Sequence, residues 1–439
     1  MAAASLTETR HPGPLLDAGV RATELLLFPL RLLISIPTLL FLAALTAMLL
    51  RHPDVSFYEI DRVAFGLLVV GVVGRAVIRR ERLLFVERAS FPMLGLTLLA
   101  LASTIGQPCD HEAGSLLAAK FIVPFTLFHL AGLVFTGERS FRYFEIFCLI
   151  VLAYLSFTAI AFLAGAHSLI FPRFILDDSL GFHADRARGP LLQAVANGVS
   201  LNLLGLVVLH AYQRGSVRGL KVVVLLAALP LAIVATMTRA VWLSFAATVV
   251  ATIFLSRNRA VRRACVAFAL AAAVVLALTS STELSRTLAE RLEERGPLDY
   301  RAAVYAGGWQ MFLERPLMGW GFHQMPAQLP RFVSGYNEKV LYPHNTYLEL
   351  LVEQGLAGFG LYLWLMWELW RLRRPGRHRR QAGGFLDPQF YRLWPIVLGI
   401  YWINAAVVVM SYQFVNGLLF TMAGMLAAER RRGEAFERC

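Results

Sequence analysis

Long apolar runs recur along this chain and are separated by shorter polar connections. A helix needs about 20 mainly apolar residues to cross the hydrocarbon core of a membrane. The pattern therefore predicts an all-α polytopic membrane protein with about 12 transmembrane helices, the first of them a retained signal-anchor helix. The predicted spans lie near 25–50, 63–78, 90–106, 116–136, 143–165, 190–210, 219–236, 240–256, 264–280, 346–370, 391–409 and 412–428.

The composition agrees with a membrane protein, because 57% of the residues are hydrophobic and only 16% are charged. Most of the net charge of +13 comes from arginines in alternate connections. Those connections hold 24 lysines and arginines, whereas the short connections of the opposite set hold three. The positive-inside rule then predicts that both termini are cytoplasmic. Because topology accounts for the basic excess, we expect contact with membrane lipids and no nucleic-acid partner.

The pattern predicts a single integral membrane domain, 1–439, with two longer segments on the outer side, 166–189 and 281–345. The segment 281–345 lies between the ninth and tenth spans and is too long for a simple connector, so we expect a loop subdomain there. Within it, Asp299 suits the N-cap of an amphipathic helix lying on the outer membrane face. The last two spans are separated only by a tight turn at Ser411-Tyr412.

A histidine, His344, lies where the outer loop meets the tenth span. Thr346 and Glu349 have the spacing of a capping box, which predicts a helix start directly after the histidine. The positive end of that helix disfavours imidazolium, and a neutral imidazole can act as a general base. The same position also suits an interfacial histidine that only hydrogen-bonds lipid or loop.

Arg239 lies in a very short outer turn between two spans. A cation at a helix N-terminus opposes the macrodipole, so its position favours a nearby anion. A snorkelling arginine that touches lipid phosphates would fit the same position. Arg301 is predicted near the start of the outer helix, with Tyr305 and Trp309 at i+4 and i+8 on its face. A guanidinium near aromatic rings suits diphosphate or sugar contact, and the pattern also suits a solvated face.

Arg186 and Arg188 end the first outer segment, directly before the sixth span. Gln193, Asn197 and Ser200 follow with a spacing that predicts one polar face on a transmembrane helix. Such a face lines a wet cavity or the bundle interior, or makes helix–helix hydrogen bonds. These residues extend the candidate site to the sixth span.

Several other chemistries lack a signature in this sequence. Asp177, Asp178 and Asp185 do not have metal-ligand spacing and suit a solvated loop. The sequence contains no Walker-type loop, no dinucleotide fingerprint after a strand and no nucleophile elbow. Cytoplasmic ATP chemistry is therefore not expected.

Three motifs resemble those of one family. His344-Asn345, nine residues and then Gly355-x-x-Gly358 resemble the histidine motif of bacterial O-antigen ligases. Arg239-x-x-x-Leu243 resembles a second signature of that family, and 300–321 together with 344–348 resembles the core shared by O-antigen ligases and polymerases. Phe359-Gly360 follow the second glycine, where some ligases have two threonines.

The resemblance implies an inner-membrane glycosyltransferase of the GT-C class in a Gram-negative bacterium, with a large helical periplasmic loop between spans 9 and 10. Its donor would be an undecaprenyl-diphosphate-linked O-antigen and its acceptor a lipid A-core oligosaccharide. It implies neither a metal nor a nucleotide sugar as cofactor. By the same resemblance, His344 is the catalytic base, and Arg239, Arg301 and one or both of Arg186 and Arg188 bind the diphosphate.

By the same resemblance, Asn345, Tyr305, Trp309, Gln193 and Asn197 would support this site. Two other functions stay open within the superfamily, an O-antigen polymerase and a protein O-oligosaccharyltransferase. A more distant alternative is a transporter of lipid-linked glycans. Transporters commonly bind at the bilayer midplane between related halves, whereas the candidate residues here cluster at the outer face.

Overall fold

Helices and their connecting segments make up the described part of the chain. The computed structural model describes 32–51, 60–81, 86–105, 111–181, 183–256, 258–259, 261–266, 296–333, 343–375 and 384–436. The longer helices are α1 (Pro37–Leu49), α2 (Ile60–Arg79), α3 (Ser90–Thr104), α4 (Glu112–Val134), α5 (Glu138–Leu163), α6 (Ala194–Arg214), α7 (Leu220–Ala235), α8 (Arg239–Leu255), α9 (Gly296–Glu314), α10 (Thr346–Arg371), α11 (Pro388–Ala405) and α12 (Gln413–Phe436). Shorter turns are His167–Leu169, Arg173–Leu176, Gly189–Leu191, Met325–Gln328 and Leu329–Arg331.

The helical membrane class is confirmed, while the number of spans stays a prediction. By length and apolar composition, α4, α5, α6 and α10 can cross a membrane, and α1, α3, α7 and α8 are shorter apolar helices. The helices fall on the predicted runs because local hydropathy largely decides where a membrane helix forms. Most of the ninth predicted span, 264–280, lies outside the described residues, and the GT-C architecture also stays a prediction.

Most of the helices share one apolar core. Within it, α12 packs along α4, α5 packs between α6 and α7, and α11 packs against α6 and α8. Helix α10 packs against both α3 and α9. A second, smaller core, built around Val304 and Met311, joins α9 to Leu348 and Val352 in the first turns of α10. Helix α9 is thus fixed to the helix that follows His344.

Two predicted helix starts are wrong. Asp299 lies inside the first turn of α9, which begins at Gly296. The N-cap of α10 is Asn345, whose side-chain oxygen accepts the backbone N–H groups of Tyr347 (2.9 Å) and Leu348 (3.1 Å). An asparagine is as strong an N-cap as serine or aspartate, so it takes the position predicted for Thr346.

The tight turn predicted at 411–412 is also wrong, because α11 ends at Ala405 and α12 begins at Gln413. The non-helical segment 406–412 is held by the hydroxyl of Thr346. That hydroxyl donates to the carbonyl of Val408 (2.8 Å) and accepts the N–H of Met410 (2.9 Å). A buried backbone outside a helix needs such partners for its polar groups.

A break in α10 occurs at Gly355, where the backbone has φ 60 and ψ −161. The segment 316–321 fills this break with four backbone hydrogen bonds, an arrangement called here the interlock. The N–H groups of Trp320 and Gly321 donate to the carbonyls of Val352 (2.8 Å) and Glu353 (2.9 Å).

The other two hydrogen bonds of the interlock run in the opposite direction. The N–H groups of Leu356 and Ala357 donate to the carbonyls of Pro316 (2.8 Å) and Leu317 (3.1 Å). The backbone polar groups at the break are therefore hydrogen-bonded to 316–321, as a helix within a membrane requires. Close backbone contact requires a glycine here, because a Cβ at Gly355 would lie 2.4 Å from the carbonyl oxygen of Leu317.

Gly355→Ala is expected to lower the thermal unfolding temperature of the purified protein markedly. The new methyl group would meet the Leu317 carbonyl, and a left-handed backbone at a non-glycine residue costs about 1–3 kcal/mol by itself. Gly360→Ala is the matched control, since a Cβ at Gly360 meets nothing within 4 Å and alanine favours a helix by up to about 1 kcal/mol. Equal unfolding temperatures for the two variants would contradict the interlock.

Candidate active site

His344 is held in a defined position directly before the cap of α10. Its backbone is left-handed, with φ 45. The hydroxyl of Tyr305 on α9 donates to the His344 carbonyl over 3.3 Å. The Tyr300 ring, one turn earlier on α9, lies edge-on to the imidazole with 6.2 Å between centroids. Helix α9 thus holds both the backbone and the ring of this histidine.

The surroundings of His344 keep its imidazole neutral. Burial is the main cause that lowers its pKa, to about 4, and the neighbouring charges of Arg301 and His183 lower it further. The prediction from sequence attributed neutrality to the helix dipole, whereas burial has the larger effect here. A neutral imidazole at pH 7 has a lone pair available for a proton.

His183 was not identified from the sequence, although it lies within electrostatic reach of His344. It shares a left-handed backbone with His323 and His344, at φ 57, 60 and 45 respectively. A positive φ costs free energy at a residue with a side chain, and such residues cluster at functional sites. A sequence pattern does not reveal backbone strain, so this signal became visible only in the structure.

The two arginines of the first outer segment differ in their surroundings. Arg188 is buried, and its Nε donates to the carbonyl of Ile175 over 2.9 Å. Its two terminal nitrogens donate to the carbonyls of Leu180 and Asp177. All three guanidinium nitrogens therefore hold the fold of this loop. The guanidinium of Arg188 is thus committed to the loop rather than presented to a diphosphate.

Arg186 is only half-buried, with its Nε 3.7 Å from a carboxylate oxygen of Asp185. Its backbone N–H donates to the carbonyl of His183 (3.1 Å), which places it one turn from the histidine beside His344. The neighbouring residue Ala187 donates its N–H to the carbonyl of Ala235 at the end of α7 (3.1 Å). This hydrogen bond holds the loop around 183–188 against the α7–α8 turn.

Arg239 is the first residue of α8 and directly follows that turn. It is half-buried, and its neighbour Thr238 is the N-cap. Arg301 lies near the start of α9 and acts electrostatically on His344. The bond between Ala187 and Ala235 thus joins the loop of Arg186 to the turn before Arg239, while Arg301 is the predicted arginine that acts electrostatically on His344.

The polar residues of the sixth span do not form one face. Gln193 precedes α6 as its N-cap residue, so it is outside the helix. Asn197 is fully buried, and its amide donates to the carbonyl of Ala187 over 2.8 Å. Ser200 donates to the carbonyl of Ala196 in its own helix (2.8 Å). Asn197 therefore supports the loop that carries Arg186, while Gln193 faces a cavity.

Trp309 lies away from the centre of this arrangement. It is 51% exposed, and its ring packs against Phe312 with 5.1 Å between centroids. Tyr305, one turn earlier, instead reaches the backbone of His344. Of the two aromatic residues predicted to accompany Arg301, only Tyr305 thus contacts the candidate base.

A cavity of about 450 Å³ opens beside the imidazole. Elements distant in sequence form its wall, including the end of α1, the start of α6 and the segment 406–412. The polar residues among its described lining include His344, His323, Gln193, Glu349, Lys120 and Arg51. This wall shows that the site is assembled from most of the chain and not from the histidine motif alone.

A buried ion pair forms part of this wall. Lys120 lies in a π-helical turn of α4, Ala118–Ile122, and its Nζ is 2.8 Å from a carboxylate oxygen of Glu349. The Glu353 carboxylate, one turn further along α10, accepts backbone N–H groups of His323 and Met325. A π-turn shifts the register of one turn and frequently marks a functional position. A lysine inside an apolar run was the sequence signal that could have revealed this pair.

These features define a helical membrane protein with a neutral histidine, a neighbouring arginine and a cavity of about 450 Å³ near the start of one helix. Residues 222–363 match the family model described as O-Antigen ligase. This segment is therefore similar to the O-antigen ligase family, and the resemblance drawn from the motifs is confirmed. No curated protein matches the sequence. At a coarse level the family implies a glycosyltransferase-type ligase or polymerase acting on lipid-linked glycans.

Arg188→Met is expected to lower the unfolding temperature by about 5 °C or more, since it leaves three carbonyls without their donor. Arg186→Met should lower that temperature less, because Arg186 is half-buried whereas Arg188 is fully buried with all three guanidinium nitrogens bonded to the loop. Thermal unfolding of both purified variants measures the difference. A larger loss for Arg186→Met would reverse the assignment.

Proposed function

We propose that this protein is an O-antigen ligase. It transfers a polysaccharide from undecaprenyl diphosphate to a sugar hydroxyl of the lipid A-core oligosaccharide during lipopolysaccharide biosynthesis. The observation that carries the proposal is the neutral, half-buried His344 at a cavity wall beside Arg301, within a chain whose residues 222–363 match the family model. The site would face the periplasm from the Gram-negative inner membrane, with both termini in the cytoplasm.

In the proposed reaction the acceptor hydroxyl attacks the anomeric carbon of the donor. A new bond forms between that oxygen and carbon, and the bond from the carbon to the diphosphate oxygen breaks. The electron pair of the broken bond leaves with the diphosphate, and the hydroxyl proton passes to the imidazole of His344. A direct displacement of this kind inverts the anomeric centre.

The leaving diphosphate gains negative charge as the bond breaks. Preorganised cations lower the barrier at this point because they stabilise the charge that develops. Arg301, Arg239 and Arg186 are the proposed diphosphate contacts, since Arg188 is occupied by the loop. Asn345 and Tyr305 would support the reaction by holding the base in position.

The proposal is tested with purified protein, a lipid-linked donor and three acceptors supplied separately. The acceptors are lipid A-core, a second lipid-linked repeat unit and a Ser/Thr-containing protein. Transfer to lipid A-core supports the ligase. Transfer only to the lipid-linked unit identifies a polymerase, and transfer only to protein identifies an O-oligosaccharyltransferase. Movement of donor across liposomes without covalent change would identify a transporter.

His344→Gln is expected to reduce transfer by about 10²- to 10⁴-fold, the contribution of a general base, while the protein stays folded and membrane-inserted. His167→Gln serves as the control, since His167 is an exposed histidine on the first outer segment. The initial rate of transfer measures both. Full activity of His344→Gln would remove this histidine from the mechanism.

The pH dependence should follow the lowered pKa of His344. Only the neutral imidazole accepts a proton, so kcat/KM is expected to fall as the pH drops through about 4, well below the ordinary histidine range. Arg301→Gln removes a charge that lowers this pKa, so its acidic limb should move to higher pH. A wild-type limb near 6.5, with no change in the variant, would contradict the assignment.

A further inference from the structure

We propose that the cavity beside His344 is the acceptor subsite and that it binds uncharged sugar units of the acceptor glycan. The inference rests on the proposed function and extends it, because it assigns the two substrates to different sides of the same histidine. The volume of the cavity, about 450 Å³, lies within the range of small-molecule sites.

The charges in the cavity wall are balanced, and such a wall suits a neutral ligand. Its described lining holds two cations and two carboxylates, the cations Arg51 and Lys120 and the carboxylates Glu112 and Glu349. Lys120 is 2.8 Å from the carboxylate of Glu349, and Arg51 is 3.9 Å from the carboxylate of Asp61. Arg51 also donates to the side chains of Gln413 (3.3 Å) and Ser115 (3.0 Å). Each cation of this wall therefore has a carboxylate of its own, so the wall offers no surplus positive charge for a diphosphate.

The arginines proposed for the diphosphate lie elsewhere. Arg186, Arg239 and Arg301 are not among the described residues that line the cavity. His344 belongs to both groups, since it lines the cavity and lies within electrostatic reach of Arg301. A base that removes a proton from the acceptor must contact the acceptor hydroxyl, and the leaving group must depart from the opposite side of the anomeric carbon.

The remaining lining suits a sugar ring. Gln193, Gln413 and Tyr412 carry amide and hydroxyl groups, which can donate to and accept from sugar hydroxyls. Two hydrogen bonds within the wall, between Gln193 and Tyr412 and between Arg51 and Gln413, orient these groups. Leu192 and Val409 provide apolar surface between them. Small-molecule sites usually have a mainly apolar wall with a small number of polar groups that point into the cavity.

Val409→Trp tests the assignment because it fills the cavity without touching the proposed diphosphate contacts. Val407→Trp is the matched control, since Val407 is half-buried in the same segment and is not among the described lining residues. With lipid-linked donor and lipid A-core, Val409→Trp should raise the acceptor KM by at least about tenfold and leave the donor KM unchanged. Val407→Trp should leave both near wild type.

A second measurement does not depend on a bulky side chain. Val409→Cys and Val407→Cys are nearly isosteric, and the rate of maleimide labelling above the unsubstituted background reports access to each position. Lipid A-core should slow labelling of Val409→Cys, and lipid-linked donor should not. Protection by the donor, or a raised donor KM in Val409→Trp, would assign the cavity to the donor instead.

The outcomes separate this inference from the proposed function. Wild-type protein that transfers to none of the acceptors refutes the proposed function, whatever the variants show. Active wild-type protein, together with an unchanged acceptor KM in Val409→Trp and no protection of Val409→Cys, refutes only the assignment of the cavity.

Discussion

The interlock between 316–321 and the break at Gly355 is the constraint on which the rest of the site depends. It fixes the loop that follows α9 to the interior of α10, so the C-terminal end of α9 has a defined position, and the smaller core holds the middle of the helix. Arg315 adds to this by stacking 4.3 Å from the centroid of the Trp320 ring, whose N–H donates to the carbonyl of Met311. The histidine and the glycines of the family motif thus belong to one structural unit.

Local hydropathy predicted the helices well because a membrane helix is defined mainly by its own apolar residues. The tenth span, predicted at 346–370, forms Thr346–Arg371, and the fourth, predicted at 116–136, forms Glu112–Val134. The caps were predicted less well. Thr346 has the residue type of an N-cap, but its hydroxyl serves the backbone of Val408 and Met410, more than 60 positions away. A single sequence does not reveal a partner at that distance.

Partners that are distant in sequence also explain which site residues the sequence predicts and which it does not. His344 stood out because its motif and its helix boundary are both local. Arg188 was grouped with the diphosphate contacts because its loop has no pattern that shows three carbonyls converging on one guanidinium. The sequence does not mark Lys120 as a site residue, because its partner Glu349 lies on another helix. Charged residues are thus easily located in a sequence, whereas the groups that satisfy them are set by tertiary structure.

The break in α10 also has a consequence for folding. The carbonyls of Val352 and Glu353 and the N–H groups of Leu356 and Ala357 gain their partners only from 316–321. Until that earlier segment has docked, the helix carries four unmet polar groups, each costly in an apolar environment. Folding of α10 is therefore coupled to docking of the loop that precedes it.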